Sequence, residues 1–201
     1  VLEVGHKFAE IAFTDSVRQL QQAGGSRDSY ARIEAGSDRN GVLTDREADF
    51  IGRRDSFYMA TVSETGWPYV QHRGGPPGFV RVLDPKTLGF PDFSGNRQFV
   101  STGNLRGDDR ISLFFMDYPN RARLKLLGRA QVTHDPAILE GFAMAGYSAK
   151  IDRAFVIDVA AFDWNCPQHI TPRFTTEDVA AAVAPLQARI AELEAALAVR
   201  A

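Results

Sequence analysis

The spacing of apolar positions divides this 201-residue chain into three stretches. In the first, short helical patterns alternate with turns. Thr14 caps a segment running to Gln22, Val17 and Leu20 give it a small apolar stripe, and Gly24 and Gly25 stop it. After the turn-rich connector GSDRNGV (36–42), the sequence LTDREADFIGRRD offers a capping box, Thr44 with Glu47, opening a helix whose Phe50 and Ile51 face a core.

Past Arg54 the pattern shifts to short runs of β type. FYMATVS (57–63) and WPYVQH (67–72) flank Glu64-Thr65-Gly66 as a hairpin, and further runs follow at 79–83, 87–93, 111–118, 124–133 and 154–162. Only two helical patterns interrupt them: a short one at 97–101, and one opened by Asp135-Pro136 and running to about Gly146. Consecutive strands with few crossover helices predict an antiparallel barrel rather than a doubly wound parallel sheet. From Thr175 the pattern changes again. Val179, Val183, Leu186, Ile190, Leu193 and Leu197 are spaced 4-3-4-3-4, as in a coiled-coil seam, and Pro185 kinks this helix or marks its true start. Two readings stand: a helix docked on its own barrel, or one pairing with a second subunit. The expected division is a helical lead over 1–54, a barrel over 55–174 and an amphipathic helix over 175–201.

Composition narrows the function classes. Lys plus Arg (23) nearly balance Asp plus Glu (25), which argues against a polyanion binder, so no nucleic-acid partner is expected. No apolar run approaches the ~18–20 residues that cross a bilayer, and the N-terminal VLEVGHKFAEIAF lacks a signal-peptide cleavage region. No membrane partner and a cytoplasmic location are therefore expected. The single Cys166 excludes a disulfide framework and a multi-cysteine zinc site.

Four segments could carry chemistry. QHRGGPPGFVRVLD (71–84) is a stiff Gly/Pro loop with His72 and Arg73 at its entry, Gly78, Phe79 and Val80 behind it, and Arg81 in the next strand; its backbone could approach a flat heteroaromatic ring, or it is a plain hairpin connection. In Asp92-Phe93-Ser94-Gly95-Asn96-Arg97-Gln98 a strand ends in a turn that opens a short helix. Free N–H groups beside Arg97 suit a phosphate, against the plainer reading of Asn96 as an ordinary N-cap. Neither a GxxxxGK[ST] nor a GxGxxG pattern is present. Arg121, Arg123 and Lys125 share one face of a strand, as an anion ladder or as solvated cations paired with Asp108, Asp109 or Asp117. WNCPQHITPRF (164–174) concentrates Trp164, Asn165, Gln168, His169 and Arg173 on a proline-stiffened loop and reads as a binding surface. The four histidines are too scattered to assemble a zinc site or a Ser-His-Asp triad.

In order from Phe57 to Arg173, FYMATVSETGWPYVQHRGGPPGFVRVLD, DFSGNRQFVSTGNL, DDRISLFFMDY, RARLKLLGRA and WNCPQHITPR together resemble the pyridoxamine 5'-phosphate oxidase-like family of FMN-binding split barrels, in its predicted flavin-nucleotide-binding branch. The resemblance implies a mainly β fold: a six-stranded antiparallel split barrel with peripheral helices, working as a homodimer with FMN at the interface. By position, Gly95, Asn96, Arg97 and Gln98, with Asp92 before them, match the phosphate-gripping turn. His72 to Arg81 matches the segment along the ribityl chain and isoalloxazine. Trp164 and Arg173 fall near the tryptophan and arginine the family presents from the other subunit, and Asn165 and Gln168 of the polar loop between them are expected at the cofactor, where that loop could also contact substrate. HRGGPPGFVRVLD replaces the oxidase's R-x-V-L-L-K strand and Gln98 replaces a lysine, so oxidation of pyridoxamine phosphate is not implied. The functional expectation is an FMN-dependent oxidoreductase acting on a small molecule, with NAD(P)H a candidate donor. Set against it are a flavin-binding carrier, sensor or stress protein without turnover, and a split barrel using deazaflavin or haem.

Overall fold

The computed structural model describes residues 6–36, 40–164 and 167–198. They fall into two compact units, Val1–Met116 with Arg123–Cys166, and Asp117–Ala122 with Pro167–Ala201.

The first unit opens with the helices α1 (Lys7–Ala12), α2 (Asp15–Ala23), α3 (Arg27–Glu34) and α4 (Asp45–Gly52). The Thr44–Glu47 capping box forms as expected, and Phe50 and Ile51 are buried. Seven strands follow: β1 (Ser56–Val62), β2 (Pro68–Gly74), β3 (Arg81–Asp84), β4 (Thr87–Phe93), β5 (Arg110–Asp117), β6 (Ala122–Thr133) and β7 (Ile151–Trp164). Between them lie α5 (Val100–Asn104) and α6 (Pro136–Gly141). The strands form one sheet in the order β2-β1-β5-β6-β7-β4-β3. The pairings of β1 with β2 and β5, and of β7 with β4 and β6, are antiparallel. The fold is mainly β, as expected, with seven strands in place of six.

The sheet curls on itself. Phe57 of β1 lies 5.0 Å, ring to ring, from Phe90 of β4, although three strands separate them in the sheet order. Phe57 also packs on Phe115 and Phe79, and Phe90 stacks on Phe155 at 4.9 Å. Phe57, Phe115 and Phe155 come from the inward positions of an alternating pattern, seen in β1 as Phe57, Met59 and Thr61 buried and Tyr58 and Val62 exposed. Two glycines are required by geometry. Gly78 (φ 88°) sits at the third position of the turn Pro76–Phe79, a type II turn with proline before it, closed by the Phe79 amide donating to the Pro76 carbonyl at 3.0 Å. The turn delivers Phe79 and Val80 into the core. At the bulge between Leu127 and Gly128, a Cβ on Gly128 would stand 2.6 Å from the Asp158 carbonyl oxygen.

The helical expectations shift in two places. The helix after the turn begins at Val100, not Arg97, because Arg97 and Phe99 are left-handed (φ 60° and 56°) and cannot continue a right-handed helix. The helix at Pro136, capped by Asp135, ends at Gly141, where Arg81 donates to the carbonyls of Gly141 and Ala143. In the second unit, α7 (Thr176–Ala198) starts from a reciprocal cap. The Thr175 amide donates to Asp178 Oδ2 at 2.9 Å and the Asp178 amide to Thr175 Oγ1 at 3.1 Å. Among the described residues no helix is long and apolar enough to cross a membrane.

Candidate functional site: an arginine-framed polar cleft

The period of two along β2 aims Tyr69, Gln71 and Arg73 to one face and Val70 and His72 to the other. Arg73 reaches across to Asp92 of β4, which also pairs with Arg153 of β7, its Oδ2 3.0 Å from Arg153 Nε. All three side chains are only 12–15% exposed, so a carboxylate is held between two largely desolvated guanidinium groups. Burial pulls the Arg73 guanidinium below its ordinary value, and Asp92 opposes the shift. Arg73 also lies 5.0 Å from the Phe155 ring, and Arg153 lies 4.8 Å from Phe99. Arg73 Nε is buried with no hydrogen-bond partner among the described residues.

A register shift sets the other wall. Asp92 pairs with Arg153 but Phe93 with Ile151, which leaves Asp152 as the extra residue of a bulge. Asp152 accepts from Ser94 Oγ at 2.7 Å, and that bond, with Lys150, holds its carboxyl below the usual carboxylate range. The chain then turns through Gly95-Asn96-Arg97-Gln98, with Asn96 Oδ1 accepting the Gln98 amide at 3.2 Å. Two left-handed non-glycine residues, Arg97 and Phe99, sit within three positions of each other; such backbone costs of order 1–3 kcal/mol each and concentrates at functional sites. Arg97 is exposed and makes no ion pair among the described residues.

These groups enclose a polar cleft of about 90 Å³. Arg73, Arg97 and Arg153 against Asp92 and Asp152 leave one positive charge, three minus two. The volume suits an anion of phosphate size and falls well below the ~300 Å³ of a pocket that swallows a whole ligand.

Of the sequence candidates, the structure brings Arg73, Asp92, Gly95, Asn96, Arg97 and Gln98 together here. His72 lies on the opposite face of β2, against Tyr58 at 5.6 Å. Gly78 is spent on its turn, Phe79 and Val80 have core side chains, and Arg81 is tied to α6. Trp164 donates from Nε1 to Glu47 Oε1 at 2.7 Å and packs edge-on against Phe50. Arg173, in the second unit with Gln168, stands 4.9 Å from the Tyr118 ring, and Asn165 and Cys166 lie outside the described residues. The basic ladder is shorter than expected: Arg121 precedes β6 with φ 53°, and Lys125 pairs with Asp163 at 3.1 Å. Sequence reading missed Tyr69, Gln71, Asp152 and Arg153. The first two follow from Arg73 by alternation, whereas the last two carry no local signal.

A search of curated proteins returned no match to this chain. Among solved structures, HupZ from Group A Streptococcus aligns with 66% of this chain and 99% of its own, at 16% identity and a TM-score of 0.50. An FMN-binding protein from Syntrophomonas wolfei covers 72% of this chain and 97% of its own (9% identity, TM-score 0.47). A Clostridium acetobutylicum protein related to general stress protein 26 of B. subtilis, of the pyridoxinephosphate oxidase family, covers 67% and 94% (17% identity, TM-score 0.46). The family model described as Pyridoxamine 5'-phosphate oxidase matches residues 43–168, which is more than half of the chain and spans the whole cleft. The chain thus belongs to the pyridoxamine 5'-phosphate oxidase family.

Proposed function

We propose that this protein binds FMN through the arginine-framed cleft and acts, as a homodimer, as an FMN-dependent oxidoreductase on a small molecule. The carrying observation is the Arg73–Asp92–Arg153 triad beside the left-handed turn at Arg97. The residues fit the group: a phosphate-sized cleft, a surplus positive charge and an unpartnered buried Nε on Arg73 are what a phosphate monoester needs. Bound FMN supplies the electron-transfer chemistry itself, so the protein contributes binding, orientation and electrostatics.

In this reading Arg97 and the turn grip the phosphate, and Asp92 keeps Arg73 and Arg153 in position. The cleft is too small for the flavin ring, which must extend beyond it. A second subunit is supported by the outer face of the β1–β2 hairpin, where Val70 (61% exposed) joins Tyr58 and Val62.

The test is FMN titration of Arg97→Ala by flavin fluorescence and absorbance. Loss of one charge-assisted contact, about 1.5–3 kcal/mol, predicts affinity weakened roughly 10- to 150-fold. Unchanged affinity removes the phosphate assignment. Anaerobic bleaching of the bound flavin by NADH or NADPH, with recolouring by an acceptor, separates turnover from mere carriage.

A further inference from the structure

α7 carries an apolar stripe that is exposed along its length. Val179, Val183, Leu186, Ile190, Leu193 and Leu197 are each 37–66% exposed, and no described residue of the helix is buried. The stripe has one heptad register. Val183, Ile190 and Leu197 fall at a, and Val179, Leu186 and Leu193 at d. β-Branched residues at two of the three a positions with leucine at two of the three d positions favour two strands over three or four.

The flanking charges fix the orientation. Arg189 falls at g and Glu194, five residues on, at the following e. In a parallel, in-register pair these positions face each other across the seam, giving two symmetric Arg189–Glu194 contacts. An antiparallel pair would set g against g and e against e, bringing like charges together. Pro185 falls at c, so its ring lies off the seam, and the positions tested below lie on its C-terminal side, beyond any kink it makes. Arg189 already holds Glu192 at 2.8 Å on its own helix, a pair 65% exposed on both sides and therefore readily exchanged.

From this register we infer that α7 is a dimerisation helix, pairing parallel and in register with α7 of a second copy of this chain. The seam from Val179 to Leu197 runs about 27 Å at ~1.5 Å per residue.

Cysteine crosslinking of the full chain tests this, in a Cys166→Ser background so that only introduced thiols link. A disulfide needs Cα atoms about 4.4–6.8 Å apart, which a parallel in-register seam supplies at every d position and an antiparallel one only near its centre. Leu186→Cys and Leu193→Cys should each give a covalent dimer under mild oxidation, while Ala188→Cys and Ala195→Cys, both at f, should not. Arg189→Glu should slow the Leu193→Cys crosslink several-fold, and Arg189→Glu with Glu194→Arg should restore it. Linking at only one of the two d sites, equal linking at f, or no rescue by the charge swap overturns the inference. Sedimentation of the same samples separates this from the dimer proposed above: a dimer that does not crosslink overturns the coil alone, and a monomer overturns both.

Discussion

Asp92 offers the sharpest test of the cleft, because a phosphate site there would make it serve folding and ligand binding in opposite directions. Asp92→Asn keeps the shape of the side chain and removes its charge, leaving Arg73 and Arg153, each 12% exposed, without their anion. Removing one partner of a buried ion pair costs about 3–5 kcal/mol, and the residual exposure of this triad places it at the low end, about 3 kcal/mol. For a chain of this length, ~2–4 °C per kcal/mol turns that into a melting temperature lower by roughly 6–12 °C. The same change raises the local charge from one to two, since three arginines then face Asp152 alone. A phosphate monoester can take the vacated electrostatic role, and ligand at ~100-fold its Kd adds about 2.7 kcal/mol. FMN stabilises parent and variant by the same law. Thermal melts at one FMN concentration should therefore show a large deficit that narrows by about 1.4 kcal/mol for each tenfold by which the more cationic variant binds FMN more tightly. Equal stability of variant and parent without ligand would refute the triad's structural role. A deficit that bound FMN leaves untouched would refute the overlap of triad and phosphate site.

Glu47 gives a pH prediction. Burial pushes its carboxyl up, but hydrogen bonds from the Thr44 hydroxyl, Trp164 Nε1 and the Thr44 amide outweigh that and hold it below its ordinary 4.5. Its contribution is therefore full above the unfolded value and lost as pH falls through the lower folded one. Glu47→Gln should cost about 1.5–3 kcal/mol at neutral pH and flatten the acid limb of a melting-temperature profile. Gly128→Ala should cost about 1–3 kcal/mol, because the new Cβ meets the Asp158 carbonyl oxygen at 2.6 Å. Gly52→Ala, at the open end of α4 with nothing within 4 Å, should gain about 0.5–1 kcal/mol, and urea midpoints compare the two. Val70→Asp, on the exposed hairpin face, should shift sedimentation toward monomer if that face joins the barrels.

Much of the fold was legible because it is written locally. Alternation in FYMATVS and LKLLGRAQVT placed β1 and β6, and the Thr44–Glu47 box placed α4. What failed was also local, but it depended on distant groups. Asp135-Pro136 announced the start of α6, yet its end is set by Arg81, some sixty residues earlier in the chain, capturing the carbonyls of Gly141 and Ala143. The helix expected from Arg97 starts three residues late because Arg97 and Phe99 adopt a backbone that no residue-type preference predicts for arginine or phenylalanine. Arg121 left the basic ladder for the same reason, its φ of 53° marking a turn before β6.

The cleft shows why a site is harder to read than a fold. Its turn, Gly95 to Gln98, is contiguous and carries a recognisable residue pattern. Its floor is assembled by strand register: β4 lies beside β7, and Asp92 faces Arg153 only in that alignment. Asp152 and Arg153 are neighbours in sequence and look like one more solvated pair. The bulge between Asp92 and Phe93 makes them different, sending Arg153 to Asp92 and Asp152 to Ser94. A one-residue slip in a strand exchanges its two faces, so the charge balance of the cleft is a property of the pairing and not of any segment. That is also why the near-neutral composition of the whole chain gave no hint of it. Three arginines drawn from β2, the turn and β7 make a cationic site only once the sheet has closed, and closure depends on the phenylalanine core beneath them.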